Sequence, residues 1–132
     1  MISMFLNKAK KIVPYNPLKF QAPSNPGQMR LVSPGLWATE DEVLWGGSVY
    51  TAGFLLQRSK GNVFIYSSSN SSQYYKHISE LGGVKDIFLN HRDEAGPFVT
   101  KLAAHFSANI WVHENEKEAC KAKGATPNDS RP

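Results

Sequence analysis

Cysteine is almost missing from this sequence, which has one, Cys120, in 132 residues. A single cysteine forms no intrachain disulfide, so a disulfide-stapled secreted scaffold is excluded and a reducing compartment is favoured. The apolar start, residues 1–6, precedes Lys8, whereas a signal peptide places its positive charge first. No apolar run approaches the length of a membrane span. We therefore expect a cytoplasmic protein that does not cross a membrane.

A strong charge of either sign is also missing. The formal net charge is +4, and part of the excess lies near the start, at Lys8, Lys10, Lys11 and Lys19. A nucleic-acid interface needs basic side chains clustered on one face with aromatic side chains between them. A solvated basic tail explains these lysines better, so nucleic acid is not the expected partner.

Proline divides the chain into regions. Five of the eight prolines fall within residues 1–35, where each removes a backbone donor and turns the preceding residue away from helix. This composition predicts a Pro-rich extended N-terminal arm over residues 1–35. Residues 36–124 carry the apolar patterns of one α/β domain, and residues 125–132 are predicted to be a disordered tail.

The α/β domain begins with strands. Runs rich in β-branched and aromatic residues cover 43–45, 49–56 and 62–66, and they predict an antiparallel meander. Apolar spacing then predicts a helix ending at Gly82, and a buried strand over 84–89. The remaining predicted elements are a helix from Pro97 to Phe106, a strand over 109–112 and a helix over 114–123. The order implies a mixed α+β sheet in which the antiparallel meander is followed by β-α-β-α units.

The chemically interesting segment follows the buried strand 84–89. Ligand sites of open α/β sheets lie beyond the carboxyl ends of strands, which is where residues 90–94 fall. His91 could bind a metal through a neutral imidazole, Asp93 could point the same way, and Glu94 could act as an acid or base. A protein zinc site normally uses at least three side-chain ligands, and this segment supplies two at most.

The ordered series of segments resembles the first half of a metallo-β-lactamase-fold hydrolase. The resemblance covers roughly residues 31–118 and rests on the strands 61–66 and 84–89, the loop 90–94 and the continuation 102–114. It implies half of a four-layer αββα sandwich, in which two similar halves cover each other's sheets.

The metal loop of that family reads Thr-His-x-His-x-Asp-His. His91 matches the first His, Asp93 stands at the second, and Ala95 and Gly96 replace the Asp and the last His. Ser67 or Ser68 stands where an Asp usually ends the preceding strand. The resemblance therefore implies the fold with most metal ligands absent.

The residual site that remains is small. His91 and Asp93 are the candidate metal ligands, and Asp93 and Glu94 are the candidate catalytic groups. No cofactor is expected for the isolated chain, and zinc is expected only if another chain completes the site. His77, His105 and His113 are better explained as surface or half-buried residues, and the tryptophans as core or interface residues.

One half of such a sandwich leaves a sheet face uncovered. Residues such as Val43, Trp45, Phe54 and Leu56 would make that face an apolar patch, which is typical of an interface. We therefore expect self-association or a partner chain on this face. Three functions are open at this point: a noncatalytic relative that binds a partner, a metal-dependent hydrolase completed by another chain, and a basic binding module.

Overall fold

The computed structural model describes residues 27–39, 42–44, 49–66, 71–127 and 129–131. The strands within these ranges are β1 (Arg30–Ser33), β2 (Leu36–Ala38), β3 (Glu42–Leu44), β4 (Val49–Thr51), β5 (Phe54–Leu56), β6 (Val63–Ile65), β7 (Asp86–Phe88), β8 (Asn109–His113) and β9 (Asp129–Arg131). The helices are α1 (Tyr75–Glu80), α2 (Pro97–Phe106) and α3 (Lys117–Ala122).

Seven of these strands form one mixed sheet in the order β1-β2-β5-β6-β7-β8-β9. The pairs from β1 to β6 are antiparallel, and β6, β7, β8 and β9 run parallel to one another. In chain order, α1, α2 and α3 connect the successive parallel strands. The predicted antiparallel meander followed by β-α-β-α units is confirmed, and β3 and β4 pair separately as a hairpin.

We call the side of the sheet that faces the helices the closed face. Strand register places Leu55, Phe64, Ile87 and Ile110 side by side on it. All four belong to the core cluster, together with Ile78 of α1, Val99 and Leu102 of α2 and Cys120 of α3. Helices connecting parallel strands by right-handed crossovers lie on the same side of a sheet, which explains why all three pack here.

The opposite side of the sheet is the open face. The strand positions on it, by register, include Arg30, Leu36, Ala38, Phe54, Leu56, Val63, Ile65, Asp86, Phe88, Asn109, Trp111, His113, Asp129 and Arg131. Among the described residues, none of these belongs to the core cluster beneath the helices, although Ala38 and Val63 are buried. Phe54 and Leu56 thus lie on the same face, outside the core cluster, with Phe54 half-buried and Leu56 exposed. Of Val43 only the backbone is described, and Trp45 lies outside the described residues.

The predicted single strand over residues 49–56 is wrong, because the structure divides it into β4 and β5. Gly53 lies at the break, buried against the ring of Phe64 and the methyl of Thr39. Its amide donates to Thr39 Oγ1 at 2.8 Å, and its carbonyl accepts from the Thr39 amide at 2.9 Å. A Cβ at Gly53 would lie 2.7 Å from the Phe64 ring, so only glycine fits at this position.

Both ends of the domain extend beyond the predicted limits. Strand β1 starts at Arg30, inside the region interpreted as the arm, whose residues 1–26 lie outside the described ones. Residues 129–131 form β9 on the edge of the sheet, where a disordered tail was expected. Pairing with β8 is a long-range contact that the polar tail sequence does not reveal.

Local sequence features predict the positions of the helices. The α2 helix runs from Pro97 to Phe106 as predicted, with proline at its start and Ser107 in the left-handed conformation after its end. Residues 71–74 form a 3₁₀ turn that leads into α1, and Gly82 follows with a φ of 109°. Among the described residues no helix is long and apolar enough to cross a membrane.

Candidate functional site

The candidate loop lies where two parallel strands end. Strand β7 ends at Phe88 and β8 at His113, and parallel pairing brings both carboxyl ends to one edge of the sheet. His91 follows β7 by three residues and begins a 3₁₀ turn over Arg92–Glu94. The structure therefore places the predicted site residues at the sheet edge where α/β folds bind ligands.

His91 acts as the cap of its own turn. Its Nδ1 accepts a hydrogen bond from the Asp93 amide at 3.1 Å. A neutral imidazole that accepts through Nδ1 carries its proton on Nε2, so neither nitrogen keeps a free lone pair. The same Nδ1 lies 3.3 Å from Asp93 Oδ2, a contact that becomes an ion pair only in a protonated ring.

A second turn repeats this geometry at the end of β8. His113 Nδ1 accepts from the Asn115 amide at 3.1 Å and begins a 3₁₀ turn over Glu114–Glu116. The two segments read His-Arg-Asp-Glu and His-Glu-Asn-Glu, so the same polar pattern follows each strand. This equivalence assigns His91 and His113 the same capping role.

Asp93 forms an ion pair with a lysine that follows the last helix. Its Oδ1 accepts from Lys123 Nζ at 3.0 Å. This hydrogen bond, with the charges of Lys123 and neighbouring residues, holds the pKa of the Asp93 carboxyl below its usual value. Asp93 therefore serves as the anionic partner of a lysine from just beyond α3.

Glu94 turns back toward the strand end. Its Oε1 accepts from the Asn90 amide at 2.6 Å, and partial burial raises the pKa of its carboxyl. A raised pKa is a property of acid catalysts. Here the carboxylate accepts a hydrogen bond from the backbone amide four residues earlier and so stabilises the loop.

The strongest contact of the loop is one that the sequence did not indicate. The Arg92 side chain donates to both carboxylate oxygens of Glu116, with Nη2 to Oε1 at 2.7 Å and Nε to Oε2 at 3.1 Å. The Arg92 amide donates to Oε2 as well, at 2.8 Å. Donation from the guanidinium lowers the pKa of Glu116 to about 2. This ion pair links the turn after β7 to the turn after β8.

These contacts do not fit a zinc centre. A protein zinc site uses at least three side-chain ligands, and the loop offers His91 and Asp93, of which the His91 Nδ1 lone pair already accepts from the Asp93 amide. Within the described ranges, no group of three or more His, Cys, Asp or Glu side chains could hold a metal ion. Ser67 and Ser68 lie outside the residues described.

The other candidate side chains have structural partners. His77 Nδ1 accepts from the Met29 amide at 2.8 Å, and the ring of His105 lies 4.3 Å from that of Tyr75. Trp37 packs partly buried against the core cluster, as predicted, and its Nε1 donates to Gln57 Oε1. Cys120 is buried, and burial raises the pKa of its thiol, which agrees with an inert cysteine.

No protein-family model and no curated protein matches this sequence. Solved structures do match. The metallo-β-lactamase FIM-1 from Pseudomonas aeruginosa, in its mono-zinc form, is similar with a TM-score of 0.60 and 9% identity over 80% of this chain and 50% of its own. For a metallo-β-lactamase from Pontibacter korlensis the TM-score is 0.62, the identity 14% and the coverage 80% and 52%.

A metallo-β-lactamase from Erythrobacter litoralis gives a TM-score of 0.60 at 14% identity, over 77% of this chain and 48% of that one. The chain thus spans about half the length of the solved structures it resembles. At such identities the likeness concerns the fold alone. The metallo-β-lactamase fold predicted from the residues is confirmed, in the form of a half-domain.

Proposed function

We propose that this chain is a noncatalytic metallo-β-lactamase-fold half-domain that acts by binding through its sheet. In this proposal the loop after β7 holds the sheet edge and its helices together and hydrolyses nothing. A cytoplasmic location belongs to the same proposal and is supported by the single cysteine.

The observation that carries the proposal is the use of polar atoms in the loop. His91, Asp93 and Glu94 each bond to the loop itself or to Lys123. A water-activating zinc site needs ligands and a general base that are free to face metal and substrate. In this loop those side-chain groups instead form hydrogen bonds that stabilise the loop.

A binding role follows from the sheet. The closed face is buried under helices, whereas the open face exposes Leu56 and Phe88. Exposed apolar patches on small proteins mark interaction sites. The chain therefore offers a surface for another polypeptide around these two side chains, which lie outside the core cluster beneath the helices.

Zinc titration by calorimetry tests the noncatalytic part of this proposal. The titrant is zinc alone, added to wild type and to the His91→Ala and His113→Ala variants. We expect no stoichiometric binding in any of the three, because His91 and His113 both cap turns through Nδ1.

The two variants serve as controls for each other. Loss of either cap should lower stability by about 1 kcal/mol or less, measured by urea unfolding, since both remove one capping bond. Stoichiometric zinc binding that disappears in His91→Ala and persists in His113→Ala would overturn the proposal. That result would favour a metal-dependent hydrolase completed by another chain.

A further inference from the structure

We infer that His77 is an acid-sensitive latch, which holds residues 27–29 against α1 only while its imidazole is neutral. These residues lead directly into β1. Three observations support the inference: the hydrogen bond that His77 accepts, the packing of the segment that it holds, and the charged groups around the ring. The latch is separate from the loop after β7 and from the open face, so it goes beyond the proposed function.

The contact between this segment and α1 depends on a lone pair of the His77 ring. The Met29 amide donates to His77 Nδ1 at 2.8 Å, and the two residues are 48 apart in the sequence. A neutral imidazole offers one nitrogen as an acceptor, whereas a protonated imidazole carries a proton on both nitrogens. Protonation therefore replaces this hydrogen bond by an approach of two donors. Histidine is the side chain whose charge ordinarily changes between about pH 5 and pH 8.

The segment that the latch holds is packed against the same part of the structure. Met29 is buried and belongs to the core cluster beneath the helices. The backbone of Gly27 passes so close to the Gln73 carbonyl that a Cβ would lie 3.0 Å from it. A partly buried amide that loses its acceptor costs free energy, which is regained if the segment moves into water. Protonation of His77 therefore loosens residues 27–29 from α1.

A charge on His77 gains no anionic partner among the described residues. The ring packs edge-on against Trp37, with the ring centroids 5.2 Å apart. Within the part of the chain that the structure describes, no carboxylate forms an ion pair with His77, whereas His91 Nδ1 lies 3.3 Å from Asp93 Oδ2. A protonated His91 would thus replace its lost bond by an ion pair. For His77 the lost bond has no such replacement.

The charged side chains of the neighbouring elements have partners elsewhere or are exposed. Arg30 of β1 donates to the Thr39 carbonyl, and Arg58, after β5, pairs with Asp86. The exposed ones are Lys76 and Glu80 of α1 and Lys101 and His105 of α2. The half-buried Tyr75 of α1 packs its ring against that of His105. The bond to the Met29 amide is therefore the described contact of His77 that a proton changes directly.

The distance between donor and acceptor along the chain distinguishes His77 from His113. His113 also accepts an amide through Nδ1, but its donor, Asn115, is two residues away. Protonation of His113 therefore disturbs one turn. Protonation of His77 instead separates two elements that only the fold brings together.

Amide hydrogen exchange read by NMR tests the latch, with the protection factor of the Met29 amide as the measured quantity. Protection factors already correct for the intrinsic pH dependence of exchange. In wild type we expect the Met29 protection factor to fall about fivefold from about pH 7.5 to about pH 5, because one hydrogen bond is lost. His77→Asn keeps an acceptor, Oδ1, in the place of Nδ1 but does not titrate, so its Met29 protection factor should stay constant.

His105→Asn is the matched control. His105 also lies in a helix and is exposed, and its described ring contacts are with Tyr75 and Phe106, so this variant should keep the wild-type response of Met29. The amide of Ile87, in the central strand β7, is the internal reference and should show no such fall.

Circular dichroism reports whether each variant folds, and the wild-type comparison of Met29 with Ile87 decides the test if His77→Asn does not. A wild-type Met29 protection factor that stays constant would overturn the inference. So would an equal fall at Ile87, or an equal fall at Met29 in His77→Asn. None of these outcomes affects the zinc titration, so the noncatalytic proposal is tested separately.

Discussion

The two faces of the sheet are built from neighbouring residues of the same strands. Leu55 is fully buried and Leu56 is 37% exposed, and Ile87 is fully buried and Phe88 is 40% exposed. Residue type does not explain these differences, since all four side chains are apolar. Burial follows from the three helices that pack on the closed face. The comparison teaches that the burial of an apolar side chain in these strands depends on what packs against its face of the sheet.

The largest expected effect is a difference in stability between a substitution on the closed face and one on the open face. Phe64→Ala removes a fully buried ring from the closed face and should destabilise the chain by about 3–5 kcal/mol. Phe88→Ala removes a ring of the same size from the open face and should cost less than about 1.5 kcal/mol in dilute solution. Urea unfolding below the association range measures both. Similar losses for the two variants would show that the faces are equally packed.

A smaller effect concerns a charge on the open face. Arg30 is buried; its Nη2 donates to the Thr39 carbonyl at 3.5 Å, and its Nε and Nη1 have no hydrogen-bond partner among the described residues. Leaving buried polar groups unpaired costs free energy, so Arg30→Met should raise stability by about 1 kcal/mol. Arg58→Met is the matched control and should lower it, because Arg58 bonds to Asp86 and to the Gly61 carbonyl. Thermal melts of both variants measure the sign. A loss with Arg30→Met would mean that its guanidinium is paired.

The smallest effect lies at the sheet edge and depends on pH. The pKa of Glu116 falls from 4.5 to about 2 because Arg92 donates to its carboxylate. A depressed carboxyl pKa gives stability that is present above pH 4.5 and lost as the pH falls toward 2. Glu116→Gln should therefore melt below wild type at pH 7, and the difference should vanish near pH 2.

Glu118→Gln is the control for that pH series. Glu118 pairs with Lys121 but is 85% exposed at its side chain, so its removal should change the melting temperature little at any pH. A Glu116→Gln difference that stayed constant from pH 7 to pH 2 would contradict the role of the Arg92 pair.

Local features of the sequence predicted much of the fold. The limits of α2 follow from Pro97 and from apolar spacing, which lie within the helix itself. The need for glycine at position 53 could not be predicted, because the ring that a Cβ would meet there belongs to Phe64, in another strand. The same holds for β9, whose polar residues form a strand only by pairing with β8.

In the candidate site, too, local features were predictable and long-range contacts were not. His91, Asp93 and Glu94 were found because they follow a strand, but their partners were not. Arg92 and Glu116 are 24 residues apart, and Asp93 and Lys123 are 30 apart. Only the fold brings them together. The repeated pattern of His and Glu after β7 and β8 was the one available signal.

Native mass spectrometry of the wild-type chain, purified without chelator, tests the central claim most directly because it reads bound metal. A metal-free chain is the predicted result. A chain carrying one or two zinc ions would contradict the noncatalytic role.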